Sequence, residues 1–271
     1  MKLIVYPEGG LGNLLFQVFN GQSLSKKYNC KVYYYNNYKY WRGNISNFKI
    51  FSNLNFTNDI DNTNNIDYNE INYCYNEIVL TNNNYSIEGY YQSYNYNIKG
   101  YYQSYKYSQD YIDEIKSLLF NNINDIFNKI NNYYLSIKQN NNTCLIHVRR
   151  GDYLKVSDIH PICPDEYYIN AIKLIPNCLY LILSDDPNIA NWDVLKNINN
   201  IIINLNDPEE LLVFMSLCDN FIIGNSSLSL SAYLLRQNKK AKLVAPNNWF
   251  GPKLNIKFNI NDFIPPNGII I

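Results

Sequence analysis

The chain has 271 residues, 46% hydrophobic and 17% charged, with 23 Lys plus Arg against 23 Asp plus Glu and a formal net charge of zero. That length suits one large domain or two small ones with a sizeable core. The charge balance argues against a nucleic-acid coat or a polybasic membrane anchor, while leaving room for a local basic pocket. The six cysteines include no CxxC pair, and His160 with Cys163 is the nearest approach to a metal pair. No apolar run approaches the roughly 20 residues of a membrane span. With no leader visible ahead of the first strand, the reading is a soluble, cytoplasmic chain with reduced thiols and no integral membrane segment. The 27 Tyr and 48 Asn reflect AT-rich codons rather than a prion-like segment, because apolar strands recur throughout.

In chain order, Leu3–Tyr6 reads as a buried strand, Glu8–Asn13 as a glycine loop, and Leu14, Leu15, Val18, Phe19 and Leu24 as the apolar face of a helix ending at Lys26-Lys27. Val32–Tyr35 is a second strand, giving the β–α–β start of a parallel sheet. Residues 36–84 are Asn-rich and weakly patterned, and read as short elements and loops. A repeat follows: Gly89-Tyr90-Tyr91-Gln92-Ser93-Tyr94 recurs as Gly100-Tyr101-Tyr102-Gln103-Ser104-Tyr105, a local duplication too short for a solenoid. Residues 110–134 read as one helix, and Asn140-Asn141-Asn142 as a polar break, which divides the chain into halves 1–140 and 141–271.

The second half alternates strand, polar tip and helix. Strands are expected at 144–148, 179–183, 201–203, 221–223 and 242–245, with helices at 164–175, at 207–217 and from just after Ser227 to about Arg236. The pattern is an open α/β sheet, whose ligands bind beyond the carboxyl ends of the strands. The tips there are distinctive: Gly9–Asn13, His147–Asp152, Ser184-Asp185-Asp186 and Gly224–Ser227. Arg149 and Arg150 supply guanidinium forks suited to phosphate oxygens. Asn225, Ser226 and Ser227 lie at a helix N-terminus that favours an anion, or else serve as plain caps. A diphosphate would satisfy both groups. The glycine loop lacks the third glycine and the acidic partner of a dinucleotide fingerprint, and no Gly-Lys-Ser/Thr follows for a P-loop. Asp185-Asp186 could bind Mg²⁺, hold a ribose or position the arginines; with two arginines at hand, the metal-free reading is favoured.

These motifs resemble, in order along nearly the whole chain, those of the α-1,2-fucosyltransferase family, glycosyltransferase family 11. Gly9–Asn13 with Phe16-Gln17 resembles its GGLGNxxFQ signature, and His147–Tyr153 its HxRRGDY motif. Tyr167–Ile172 resembles YYxxAI, Ser184–Asp186 matches SDD, Asn225–Ser229 resembles the start of NSTFSWW, and Ala245-Pro246 with Trp249 resembles AP-x-x-W. Leu230-Ser231 departs from the aromatic pair of NSTFSWW, Leu14-Leu15 from a common Gln-Met, and the family's single GYxQS element occurs twice.

The resemblance implies a GT-B-like α/β fold of two facing Rossmann-like halves with open parallel sheets. It implies GDP-fucose as donor substrate and inverting, metal-independent transfer of L-fucose to O2 of a terminal β-galactose-type glycan. No cofactor is required, the C-terminal half holds GDP, and the N-terminal half faces the acceptor. On that reading Arg149 and Arg150 clamp the diphosphate, with Gly10, Gly12, Asn13, Ser226 and Ser227 around it. His147, Asp185, Asp186 and Asp219 are candidates for the guanine and ribose, and Ser184 and Asn225, the latter beside Ser226 and Ser227, are further candidates for donor binding. Asp152, Asp158 and His160 are candidates for the base, Asp152 being equally suited to holding an arginine. Rival readings are another GDP-sugar or protein O-fucosyl transfer, and a non-catalytic glycan-binding module on the same fold.

Overall fold

A computed structural model describes residues 2–36, 44–58, 65–70, 72–80, 86–87, 90–91, 95–254 and 256–271. The chain divides into two compact units, residues 1–123 with 257–262, and residues 124–256 with 263–271. Among the described residues no helix is long and apolar enough to cross a membrane.

In the first unit the strands are β1 (Lys2–Tyr6), β2 (Lys31–Tyr35), β3 (Phe56–Thr57), β4 (Asn65–Asn69), β5 (Ser86–Ile87), β6 (Tyr90–Tyr91) and β7 (Asn95–Lys99). Helix α1 (Leu11–Lys27) follows β1, and α2 (Ile112–Asn122) follows β7. Five strands form a parallel sheet in the order β3-β2-β1-β7-β4, and β5 and β6 pair antiparallel. Gly21 lets α1 press onto the sheet: a Cβ there would lie 2.8 Å from the Tyr34 hydroxyl and 2.9 Å from a Val5 methyl. Strand β7, which lies between the two copies of the repeat where no strand is expected from the sequence, pairs with both β1 and β4. Its alternating Tyr96 and Ile98 are buried, but so is Asn97, which donates to Asp67 Oδ1 at 2.6 Å.

In the second unit, α3 (Asn124–Lys138) precedes β8 (Thr143–Val148). Then come α4 (Asp165–Leu174), β9 (Leu179–Ser184), β10 (Asn200–Ile202), α5 (Pro208–Leu217), β11 (Asn220–Ile223), α6 (Ser227–Leu234), β12 (Leu243–Ala245) and β13 (Gly268–Ile270). The sheet is parallel, in the order β10-β9-β8-β11-β12-β13. Strand β8 is buried along its whole length, as a central strand covered on both faces must be. Asp207 caps α5 by accepting from the N–H groups of Glu209 and Glu210, with Pro208 in the first turn.

The helix expected over 110–134 is two helices, interrupted at Ile123, and the chain divides there rather than at 140/141. The reason is the packing of α3. Its Tyr134 is buried, packs edge-on against Phe214 of α5 and shares a 2.8 Å hydrogen bond with Thr143. Helix α3 therefore belongs to the second core, and Asn140–Asn142 is only the connection into β8.

Candidate active site

Strand order reverses once in each sheet. From β8 the chain builds outward through β9 and β10 on one side, and through β11, β12 and β13 on the other. The crevice beyond the carboxyl ends at such a reversal is where open α/β sheets bind ligands. In the second unit that place is occupied by Arg149–Asp152 after β8, Gly224–Ser226 after β11, and Asp185-Asp186 after β9.

Both arginines are held in place. Arg149 pairs with Asp185 through one terminal nitrogen and with Asp152 Oδ1, 2.6 Å away, through the other, and its guanidinium lies 5.1 Å from the Tyr153 ring. Arg150 donates to Asp165 Oδ1 at 2.7 Å, approaches Asp186 Oδ2 at 3.5 Å and lies 5.0 Å from the Trp192 ring. Trp192 Nε1 donates to the same Asp165 oxygen at 2.8 Å. A guanidinium has five N–H donors, more than these contacts use.

Asp185 does the positioning. Its Oδ1 accepts from the backbone N–H of Arg150 at 2.8 Å and of Gly151 at 3.0 Å, while Oδ2 takes Arg149. One carboxylate thus fixes both the loop backbone and a guanidinium. Gly151 is required for this approach, since a Cβ there would lie 2.3 Å from Asp185 Oδ2. Of the roles left open for Asp185, the geometry matches positioning the arginines. Asp186 closes a local turn, accepting from Asn188 N–H at 2.9 Å while its own N–H donates to Ser184 Oγ at 3.0 Å.

Two buried polar atoms here lack a protein partner among the described residues: His147 Nδ1 and Asn225 Oδ1. The Asn225 amide nitrogen donates to the Trp249 carbonyl at 3.1 Å, which fixes the side chain. Burial, with the Arg149 charge nearby, lowers His147 to about 4, so the imidazole is neutral at pH 7. Ser226 sits at the N-cap of α6, but its side chain makes no capping bond, so plain capping does not account for it. Leu230 and Ser231, where the motif departs, are fully buried in α6.

His160 and Cys163 do not form a pair. The Cys163 thiol is buried, takes the Asn225 backbone N–H and is pushed up to about 11, whereas His160 stacks on Tyr153. Among the described residues no group of three or more His, Cys, Asp or Glu is arranged to hold a metal ion. Asp219, expected on the nucleoside side, lies elsewhere. It precedes β11, at the amino end of the sheet, and binds Lys138 Nζ at 2.7 Å and Thr143 N–H at 3.0 Å. It ties α3 to β8 and is not among the strand-tip residues. Asp165 and Trp192, which hold Arg150, were not singled out from the sequence. An acid in the first turn of a helix looks like a dipole partner, and nothing local announces the arginine across from it.

Gly10, Gly12 and Asn13 belong to the first unit, whose sheet also reverses once, at β1 and β7. Gly9 there has φ +93°, and a Cβ would meet the Asn13 side chain at 2.5 Å. Gln17 clips the loop: it accepts from Glu8 N–H and donates to the Glu8 carbonyl, both at 2.8 Å. From the second copy of the repeat, Gln103 donates to Asn13 Oδ1 at 2.8 Å. Gly89, Gln92 and Ser93 of the first copy lie outside the described residues.

The fold is shared with solved fucosyltransferases. Arabidopsis thaliana FUT1 in complex with GDP superposes with a TM-score of 0.52 at 12% identity, covering 97% of this chain and 74% of that one. The α-1,6-fucosyltransferase NodZ of Bradyrhizobium, co-crystallised with GDP, gives 0.51 at 12% identity, covering 87% and 92%. These likenesses define the class, a GT-B-like α/β fold built from two parallel-sheet units. The O-antigen biosynthesis glycosyltransferase WbnK of Escherichia coli is 29% identical over 159 residues, 54% of this chain and 53% of that protein. The match thus spans about half of the relative's length. The model for glycosyl transferase family 11 matches residues 44–260, and the chain belongs to that family of glycosyltransferases.

Proposed function

We propose that the protein is an inverting fucosyltransferase that uses GDP-fucose and transfers L-fucose to O2 of a terminal β-galactose-type glycan, forming an α-1,2 linkage without a metal ion. The observation that carries this reading is the arginine pair after β8, fixed by four carboxylates at the strand-order reversal of a family 11 chain. The GDP complexes of FUT1 and NodZ support a guanosine diphosphate donor, and the six motifs in family order support the acceptor class.

Cleavage of the bond between fucose and diphosphate builds negative charge on GDP and positive charge on the sugar ring. Fixed donors aimed at the leaving group lower that barrier because they need no reorganisation in the step. Arg149 and Arg150 take this role, with Ser226 and Ser227 donating at the start of α6, where the helix dipole adds to it. Asn225 Oδ1 and His147 Nδ1 lie at the same strand ends and have hydrogen-bonding capacity for the nucleoside side. The Asp185 carboxylate is already saturated by two backbone N–H groups and Arg149, which supports the arginines rather than a divalent ion as the counter-charge.

The test is a donor and acceptor screen. The protein is incubated with GDP-fucose, GDP-mannose and other GDP-sugars against terminal β-galactosides, and the linkage is read by NMR. Transfer from GDP-fucose alone, giving an α-1,2 product, is expected. Transfer from a different GDP-sugar, or fucose attached at another position, overturns the finer reading.

A further inference from the structure

Three groups near the arginine loop have the chemistry of a base, and the structure separates them. Asp152 is engaged through Oδ1 by Arg149 at 2.6 Å. Asp158 is paired with Lys253 at 2.8 Å, and its backbone carbonyl accepts from Lys253 N–H at 3.1 Å. His160 differs: among the described residues its ring nitrogens have no hydrogen-bond partner, yet the ring is fixed. It stacks on Tyr153 with centroids 4.8 Å apart and planes at 18°, and Phe250 lies 6.3 Å away. Its loop is locked as well. His160 N–H donates to Val156 O at 2.8 Å, Gly251 N–H donates to Ile159 O at 2.8 Å, and a Cβ on Gly251 would lie 2.2 Å from the Asp158 carbonyl. Tyr153, on which His160 stacks, also lies against Arg149 and donates its hydroxyl to the Asn225 carbonyl at 3.2 Å.

We infer that His160, stacked on Tyr153 next to the Arg149–Asp152 ion pair, accepts the proton of the acceptor hydroxyl; this rests on the fucosyl-transfer reading above. In the step, the acceptor oxygen forms its bond to C1 of the sugar. The bond from C1 to the diphosphate oxygen breaks, and its electron pair leaves with GDP. The hydroxyl proton passes to an imidazole nitrogen, and the imidazolium later releases it to water. A half-buried imidazole is neutral at pH 7, as a proton acceptor must be: burial and the Arg149 charge lower its pKa below the ordinary value, opposed by Asp152. Asp152 is placed to stabilise the imidazolium once formed, as a carboxylate does for a catalytic histidine elsewhere. The charged and titratable groups facing the ring are therefore Arg149, Asp152 and Tyr153.

The test compares wild type, His160→Gln and His160→Phe, measuring kcat against pH and GDP binding by calorimetry. Phe keeps the stack on Tyr153 and removes the nitrogens. The inference expects both variants to bind GDP within a few-fold of wild type and to lose about 10²-fold or more in kcat. It also expects the acid limb of the wild-type profile, centred below pH 6.5, to vanish in both. Near wild-type kcat in His160→Phe makes the ring a packing element and overturns the inference, as does an acid limb that survives in His160→Gln. Fucose transfer absent from the wild type overturns the fucosyl reading and this inference together, whereas transfer that His160 variants leave intact overturns this inference alone.

Discussion

The two sheets reverse strand order at equivalent places, β1 with β7 in the first unit and β8 with β11 in the second, yet fill those places with opposite chemistry. The first carries a glycine loop held by neutral amides: Gln17 clips Glu8, and Gln103 holds Asn13. The second carries two arginines held by Asp152, Asp165, Asp185 and Asp186. Topology alone therefore marks two places for a ligand, and side-chain charge tells them apart. Fixed guanidiniums can stabilise a leaving diphosphate, whereas a clip of neutral amides can shape a loop but offers no counter-charge.

The sharpest way to break this contrast is to remove one arginine. Arg150→Ala is expected to lower kcat by about 10²–10³, the usual cost of deleting one preorganised donor at a developing anion. Arg150→Lys is expected to restore little of it, because an ammonium cannot bond Asp165 and stack on Trp192 while also presenting a fork. Steady-state kinetics with GDP-fucose checks both, and near-normal turnover in either variant removes the arginine from the step.

The next largest effect is on stability. The folded pKa of His147, about 4, lies below its ordinary 6.5, so protonation favours the unfolded chain. Its contribution is complete above pH 6.5 and is lost as pH falls from there towards 4, roughly 3 kcal/mol across that window. Urea midpoints followed over this range should fall less steeply in His147→Asn than in wild type.

Asp185→Asn is expected to keep the backbone contacts through its remaining oxygen but to lose the charge facing Arg149. GDP should bind about tenfold to a hundredfold more weakly, the size of a lost charged hydrogen bond. Gly151→Ala should weaken binding in the same direction, since its methyl group meets the Asp185 carboxylate. The smallest expected effect on binding is in the first unit. Gln17→Ala leaves the Glu8 N–H and carbonyl without their partner and should cost about 1–3 kcal/mol of stability, with GDP affinity unchanged in calorimetry. A large loss of GDP affinity there would erase the distinction between the two loops.

Much of this was legible in the sequence for physical reasons. Apolar runs such as Cys144–Val148 and Leu179–Leu183 end in polar residues because a buried parallel strand must surface before the next helix. The arginine loop, the Ser-Asp-Asp tip and the start of α6 were visible on that ground. What stayed hidden depended on contacts distant in sequence. Strand β7 alternates correctly, but its Tyr and Asn look like the Asn-rich loops around it. The break at Ile123 carries no proline or glycine, and only the packing of Tyr134 on Phe214 assigns α3 to the second unit. Asp219 follows a helix and precedes a strand, which by itself places it at the amino end of the sheet. Its pairing with Lys138 lies 81 positions away.

The central claim is that the arginine pair after β8 binds the diphosphate of the donor. Titration calorimetry with GDP and GDP-fucose, on wild type and Arg149→Ala, with and without a chelator, tests it most directly. Wild-type binding that is insensitive to chelator and is lost or greatly weakened in Arg149→Ala is the expected result. Equal affinity in the two proteins, or wild-type binding that the chelator abolishes, would contradict it.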